Sequence, residues 1–241
     1  MNTKKKNKFA FADKSLLVRV LLIILITLPS IAFFGVILFV SAWTINWFKA
    51  WAFLIVFGLV TFITSLIAVI KDPGLVDYRM AKKPGVQKWD LIIVKILGLN
   101  TFILLIVAGL DERFQLLSDV PNIISFIALP FTSIYVIIQL WAGTVNKHFE
   151  GGVRIQEDRQ HTVIQTGPYK IVRHLFYSTF IFFWLAAPLA LGSFLALFPG
   201  LVGVFLLIYR TAKEDKFLQE NLKGYKEYSE KVKYRLIPGI W

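Results

Sequence analysis

Four apolar runs, at residues 16–42, 50–70, 91–110 and 123–145, are each long enough as helices to cross about 30 Å of hydrocarbon. Lipid offers no hydrogen bonds to a polypeptide, so each run is expected to be helical and satisfied along its own backbone. Two shorter runs, 176–191 and 194–209, are joined by Leu191-Gly192-Ser193 and predict a tight hairpin, tilted, partly re-entrant or packed against protein. The expected fold class is thus an all-α integral membrane bundle of about six transmembrane helices, the last two a short helical hairpin, with a cytoplasmic C-terminal helix. Lys4, Lys5, Lys6 and Lys8 precede the first run as they would in a signal peptide, but the run is too long for an h-region and lacks a small-residue cleavage site. It reads as a retained anchor, with Pro29 as a kink position.

Composition points the same way, since 56% hydrophobic residues, 17% charged residues and a mean hydropathy of +0.64 do not describe a soluble domain of 241 residues. The net charge of +12 is spread between apolar runs rather than over one soluble face, which favours membrane lipids with anionic headgroups over nucleic acid as partners. Cysteine is absent from the sequence, which excludes disulfides, thiolate metal sites and a cysteine nucleophile. Three histidines without close ligand spacing argue against a metal. No repeat or linker divides the chain, so residues 1–241 read as one membrane domain, with four helices in 1–145 and the polar chemistry in 146–241.

With six spans, 24 of the 27 Lys and Arg residues fall on one side: the segment up to Arg19, residues 71–90, 146–175 and 210–241. Lys49 and Arg113 fall on the other, and Lys95 lies near a helix start. The positive-inside rule then places both termini in the cytoplasm, making a multi-pass protein of the inner membrane if the cell is bacterial.

The most informative segment runs His161-Thr162-Val163-Ile164-Gln165-Thr166-Gly167-Pro168-Tyr169, followed by Arg173-His174-Leu175-Phe176-Tyr177. Gly167-Pro168 predicts a turn, and the residues after it gather at the mouth of a helix, whose free N–H groups suit a carboxylate. An interfacial belt of Tyr169 and Tyr177 with Arg173 and His174 at the headgroups accounts for the same composition. Farther on, Arg210 and Glu214 share a helix face if the last apolar run continues as a helix, either as a surface pair or as a binding pair.

Taken together, the run from His161 to Tyr177, the hairpin, Arg210-x-x-x-Glu214-Asp215 and the closing Gly224-Tyr225-x-x-Tyr228 to Pro238 resemble the isoprenylcysteine carboxyl methyltransferase family and its bacterial relatives over residues 146–241. Asp72-Pro73-Gly74-Leu75-Val76-Asp77-Tyr78-Arg79 and Lys88-Trp89-Asp90 are more weakly similar to the loop joining the second and third helices of those relatives. The resemblance implies S-adenosyl-L-methionine as cofactor and 146–241 as the cofactor-binding, catalytic half. By position, His161, Thr162, Val163 and Ile164 match a His-Thr-Leu-Val stretch on the cofactor, and Tyr169 matches a Gly-x-Tyr aromatic. His174, Leu175, Phe176 and Tyr177 match His-Pro-x-Tyr, and Gln156 matches an upstream Gln across a gap. Glu214 matches a cofactor-binding Glu, and Arg210 an Arg beside the substrate carboxylate; these two are the catalytic candidates. The chain departs from the family at Leu175, where Pro is usual, and at Asp215, where Glu is frequent. Loss of that Pro relaxes the restriction on His174.

The chemistry is consistent with methyl transfer. A sulfonium is favoured by aromatic faces and carboxylates, which Tyr169, Tyr177 and Glu214 supply. A carboxylate acceptor is already charged and needs alignment and desolvation but no general base, so His161 and His174 are assigned to binding. No Gly-rich strand-to-helix turn supports a Rossmann cofactor domain. The expected acceptor is lipid-like or lipidated. A phospholipid N-methyltransferase, an NADPH-dependent membrane sterol or steroid reductase and a non-enzymatic membrane protein are the alternatives.

Overall fold

The computed structural model describes residues 11–81 and 84–241. Lys4, Lys5, Lys6 and Lys8 of the expected anchor flank, and Lys82 and Lys83 of the second basic segment, lie outside the described residues. Eight α-helices and no strand are found among the described residues: α1 (Leu16–Ala42), α2 (Phe48–Lys71), α3 (Pro73–Met80), α4 (Lys88–Phe114), α5 (Asn122–Val145), α6 (Leu175–Leu191), α7 (Leu197–Asn221) and α8 (Tyr225–Lys231). Four of them, α1, α2, α4 and α5, are long and apolar enough to cross a membrane.

Each long helix coincides with one apolar run, and local chemistry sets several ends. The Ser15 hydroxyl accepts a hydrogen bond from the Val18 amide at the start of α1, and Trp43 closes that helix in the left-handed region at φ 57°. The helix runs on through Pro29. The stretch resembling an interhelical loop in bacterial relatives is itself mostly helical: Asp72 caps α3 by accepting from the Leu75 amide at 2.8 Å, and Pro73 takes the first turn, where no N–H is needed. From α3, the Asp77 carboxylate receives the Phe11 and Ala12 amides at 2.6 and 2.8 Å, tying the N-terminal segment down.

The helices pack α1 on α4, α2 on α5, α5 on α6 and α4 on α7, around a core of Leu38, Phe53, Leu104, Leu105, Trp184 and Leu191. Large apolar side chains such as Leu25, Val40, Ile55 and Phe205 face outward, the arrangement expected where lipid is the solvent. The expected hairpin forms from α6 and α7 and turns at Gly192 in the left-handed region, φ 86°. A Cβ on Gly203 would overlap the Trp184 ring, so the small residue is what lets α7 lie close against α6. Asn100 of α4 donates to the Pro199 carbonyl of α7 at 2.9 Å.

The apolar run at 194–209 and the polar segment after it form one continuous helix, so α7 carries Arg210, Glu214 and Asp215 on its second half. The chain then turns through α8 and returns to α6. Arg173 and His174 donate their amides to the Tyr234 and Arg235 carbonyls at 3.0 and 2.9 Å, and Ser178 Oγ donates to the Leu236 carbonyl at 2.6 Å. This return clamps the mouth of α6.

Candidate active site

At the end of the bundle where α5 finishes and α6 begins, residues 146–165, the α6 mouth, α7 and α8 enclose a pocket. Gln156, His161, Thr162, Val163, Ile164, Tyr169, His174, Leu175, Phe176, Tyr177 and Glu214 all line it, although they span 59 positions of the chain. Arg210 does not line it.

Gly167-Pro168 forms a 3₁₀ turn, 167–170, that buries Tyr169, and Tyr228 Oη donates to the Tyr169 carbonyl at 2.7 Å. His174 precedes α6 with φ −119° and ψ 52°, outside the helical region even though Leu175 follows in place of Pro. The conformation is set by its partners: the His174 amide is held by the C-terminal return, and its Nε2 lies 3.1 Å from Asp215 Oδ1. Within the pocket, the Tyr177 hydroxyl donates to Glu214 Oε2.

Asp215, the departure that keeps the family's charge, is fully buried and gathers four further side chains besides His174. Tyr225 Oη reaches Oδ1 at 3.0 Å, Arg173 Nη1 reaches it at 3.2 Å, and Arg235 Nε and Gln219 Nε2 reach Oδ2 at 2.9 and 2.8 Å. Burial pushes its pKa up, but His174, Arg235 and Arg173 together hold it below the usual carboxylate range. Asp215 therefore fixes His174 and Arg173 at the pocket wall. Arg173 Nε is buried without a partner among the described residues.

His148 and His161 also line the pocket and stack with ring centroids 4.6 Å apart. The Gln156 side chain donates to the His148 carbonyl, the Gln156 amide points at His161 Nδ1 at 3.4 Å, and the Thr162 amide points at His148 Nε2 at 3.4 Å. Both rings thus act as acceptors, which requires the neutral form. Burial, reinforced by His148, lowers the His161 pKa to about 4; burial also lowers that of His148. Gln156, matched across a gap, lies at the centre of this pair.

Arg210 is 6% exposed and is not paired with Glu214. Its Nε donates to Asp90 Oδ1 at 2.7 Å, its Nη2 to the Gly151 carbonyl at 3.0 Å, and its guanidinium lies 4.8 Å from the Tyr177 ring centroid. Asp90 Oδ2 also accepts the Val153 amide at 2.9 Å. Nη1 of Arg210 makes no hydrogen bond among the described residues. Sequence reasoning placed Asp90 in a family-like stretch without a role, and it missed His148, Arg173, Tyr225 and Tyr228. Arg173, Tyr225 and Tyr228 sit inside the quoted motifs, so adjacency was their signal; His148 is brought in by tertiary folding.

A second polar cluster borders the pocket. Arg154 is bonded to Glu150 at 2.9 Å, to Asp158 at 2.8 Å and to the Tyr78 hydroxyl at 2.8 Å, linking α3 to the 146–165 segment. Desolvation, followed by the neighbouring Glu150, pushes the Tyr78 hydroxyl up to about 12.

A helical membrane protein with a polar, aromatic-walled pocket where α5 ends and α6 begins is the class defined by fold and site. Residues 123–220 match the family model for the isoprenylcysteine carboxyl methyltransferase (ICMT) family, which supports that family for the stretch from α5 almost to the end of α7. The match covers Gln156, the His161 to Tyr177 run, Arg210 and Glu214. A membrane methyltransferase of the isoprenylcysteine type is the activity it supports. No curated protein matches the chain significantly.

Proposed function

We propose that this chain is an S-adenosyl-L-methionine-dependent methyltransferase acting on an amphipathic, lipid-like carboxylate. The observation that carries the reading is the meeting, in one pocket, of eleven residues matched individually to the family's cofactor positions. The pocket's chemistry fits the cofactor: Arg173 has an unpartnered buried Nε, and the N-terminus of α6 offers amide donors, both suited to the amino-acid carboxylate. Glu214 would receive the ammonium, Tyr169 and Tyr177 would face the sulfonium, and Gln156 with His161 to Ile164 would hold the remainder. The bound cofactor supplies an electrophilic methyl group.

Arg210 would orient the acceptor carboxylate through its open Nη1, with Asp90 and the Gly151 carbonyl fixing the guanidinium plane. The acceptor needs no deprotonation, and neutral His161 and His148 serve as hydrogen-bond partners. The whole chain would act as one domain, 1–145 as four helices and 146–241 as the catalytic half. The six apolar runs and the Lys and Arg asymmetry support a six-span topology with both termini, and this pocket, in the cytoplasm.

Calorimetric titration of the detergent-solubilised protein with S-adenosylhomocysteine and, separately, NADPH tests the reading. Binding of the first, lost in Glu214→Ala, is the expected result. Binding of NADPH alone would overturn it in favour of a reductase.

A further inference from the structure

A second polar cavity, of about 420 Å³, lies at the other end of the bundle. Its position follows from α5: Asn122 begins that helix at this cavity, and Val145 ends it near the methyl-donor pocket, about 36 Å away for 24 residues at 1.5 Å each. Lys49, one of two cations the sequence places on this side, lines it, as do Trp47, Glu112 and Ser125.

Two buried polar groups of its lining lack a partner among the described residues. Trp47 is 3% exposed with Nε1 unbonded, and Ser125 is 4% exposed with Oγ unbonded. Such groups are costly unless something polar meets them. Two helices begin here without side-chain caps, α2 after Trp47 and α5 after Pro121, so both turn free amides and a positive dipole end to the cavity. Lys49 Nζ donates to the Val120 carbonyl at 2.8 Å, leaving two of its three N–H groups. One part of the cavity is therefore built for an anion.

The other part has the opposite sign. Glu112 sits in the last turn of α4, where carbonyls gather, and lies beyond 4.0 Å of Lys49 with no hydrogen bond to its carboxylate among the described residues. At the rim, Phe48 and Phe126 are 68% and 52% exposed and stand edge to face at 6.3 Å, an apolar border at the ends of membrane-spanning helices.

We infer that this cavity binds the headgroup of a zwitterionic phospholipid with a primary amine. The phosphate is received by Lys49, Trp47 Nε1, Ser125 Oγ and the starts of α2 and α5; the ammonium is received by Glu112; the acyl chains lie along Phe48 and Phe126. The site is separate from the methyl-transfer pocket and does not rest on the function proposed for it.

Native mass spectrometry of the delipidated full chain, offered equal phosphatidylethanolamine, phosphatidylcholine and phosphatidylglycerol, tests this. Phosphatidylethanolamine should be retained preferentially. Glu112→Gln, which removes no protein hydrogen bond, should weaken phosphatidylethanolamine about tenfold and leave phosphatidylglycerol unchanged, the loss of one charge-assisted bond. Lys49→Gln should weaken both, with circular dichroism checking that each variant keeps its helix content. Equal retention of all three lipids, or a Glu112→Gln variant that binds phosphatidylethanolamine as the parent does, would overturn the inference. Glycerophosphoethanolamine binding as tightly as the lipid would overturn a membrane lipid as the source of the headgroup.

Discussion

Replacing Asp215 by Ala removes the acceptor on which His174, Tyr225, Arg173, Arg235 and Gln219 converge, at distances of 2.8 to 3.2 Å and full burial. Breaking a buried ion pair by deleting one partner costs about 3–5 kcal/mol, because the remaining charge stays desolvated. Arg173, itself 9% exposed, is the group left stranded, while Arg235 is free enough to turn to water. The lower half of that range is therefore expected, about 3 kcal/mol, which for a chain of this size lowers the melting temperature by about 6–12 °C. Thermal unfolding in detergent measures it. Tyr225→Phe should cost about 1 kcal/mol in the parent and much less in Asp215→Ala, since its hydroxyl donor would have lost its acceptor. S-adenosylhomocysteine affinity should fall together with stability in Asp215→Ala, because His174 and Arg173 lose the group that positions them. A melting temperature within 2 °C of the parent, or full additivity with Tyr225→Phe, would refute the account of Asp215 as the anchor of the α6 mouth.

Three further outcomes are expected. Because His161 is held neutral with its pKa lowered to about 4, its contribution to stability is complete above the ordinary histidine value of about 6.5 and is lost as pH falls toward 4; a melting temperature that declines across this window, with the decline reduced in His161→Gln, is the readout. Gly203→Val should separate α6 from α7 by forcing a side chain into the Trp184 ring, costing about 1–3 kcal/mol and measurable as loss of folded monomer in detergent gel filtration, whereas Gly98→Ala, which meets no neighbour, should be tolerated. Asp90→Asn should raise the acceptor KM more than it weakens S-adenosylhomocysteine binding, since it loosens Arg210 directly and reaches the pocket only through the Val153 amide; an unchanged KM would remove Arg210 from acceptor positioning.

The length of the apolar runs placed the long helices, because lipid leaves a backbone one local way to satisfy itself: α1 and the run at 16–42 coincide, and α5 begins one residue before its run, whereas α4 extends past its run at both ends and α7 continues to Asn221. The hairpin was equally legible, since Gly192 supplies a left-handed turn that few residues adopt cheaply. The pocket residues between His161 and Tyr177 were readable because they are close in the chain and each carries recognisable chemistry. Partnership was not readable. Arg210 and Glu214 stand at helical spacing and invite pairing, but α7 turns Arg210 toward Asp90, 120 positions earlier, and leaves Glu214 to Tyr177. A conservative Asp in place of Glu at position 215 looked neutral by charge alone, whereas the shorter side chain sits where α6, α7, α8 and the C-terminal return meet. The sequence alone determined which apolar segments become helices and which residues carry reactive chemistry, since both depend on local hydrophobicity and residue type, but not that the polar stretch after α2 forms α3. Only the tertiary structure decided which charges meet, because a buried ion pair depends on distances between elements that spacing along the chain does not encode.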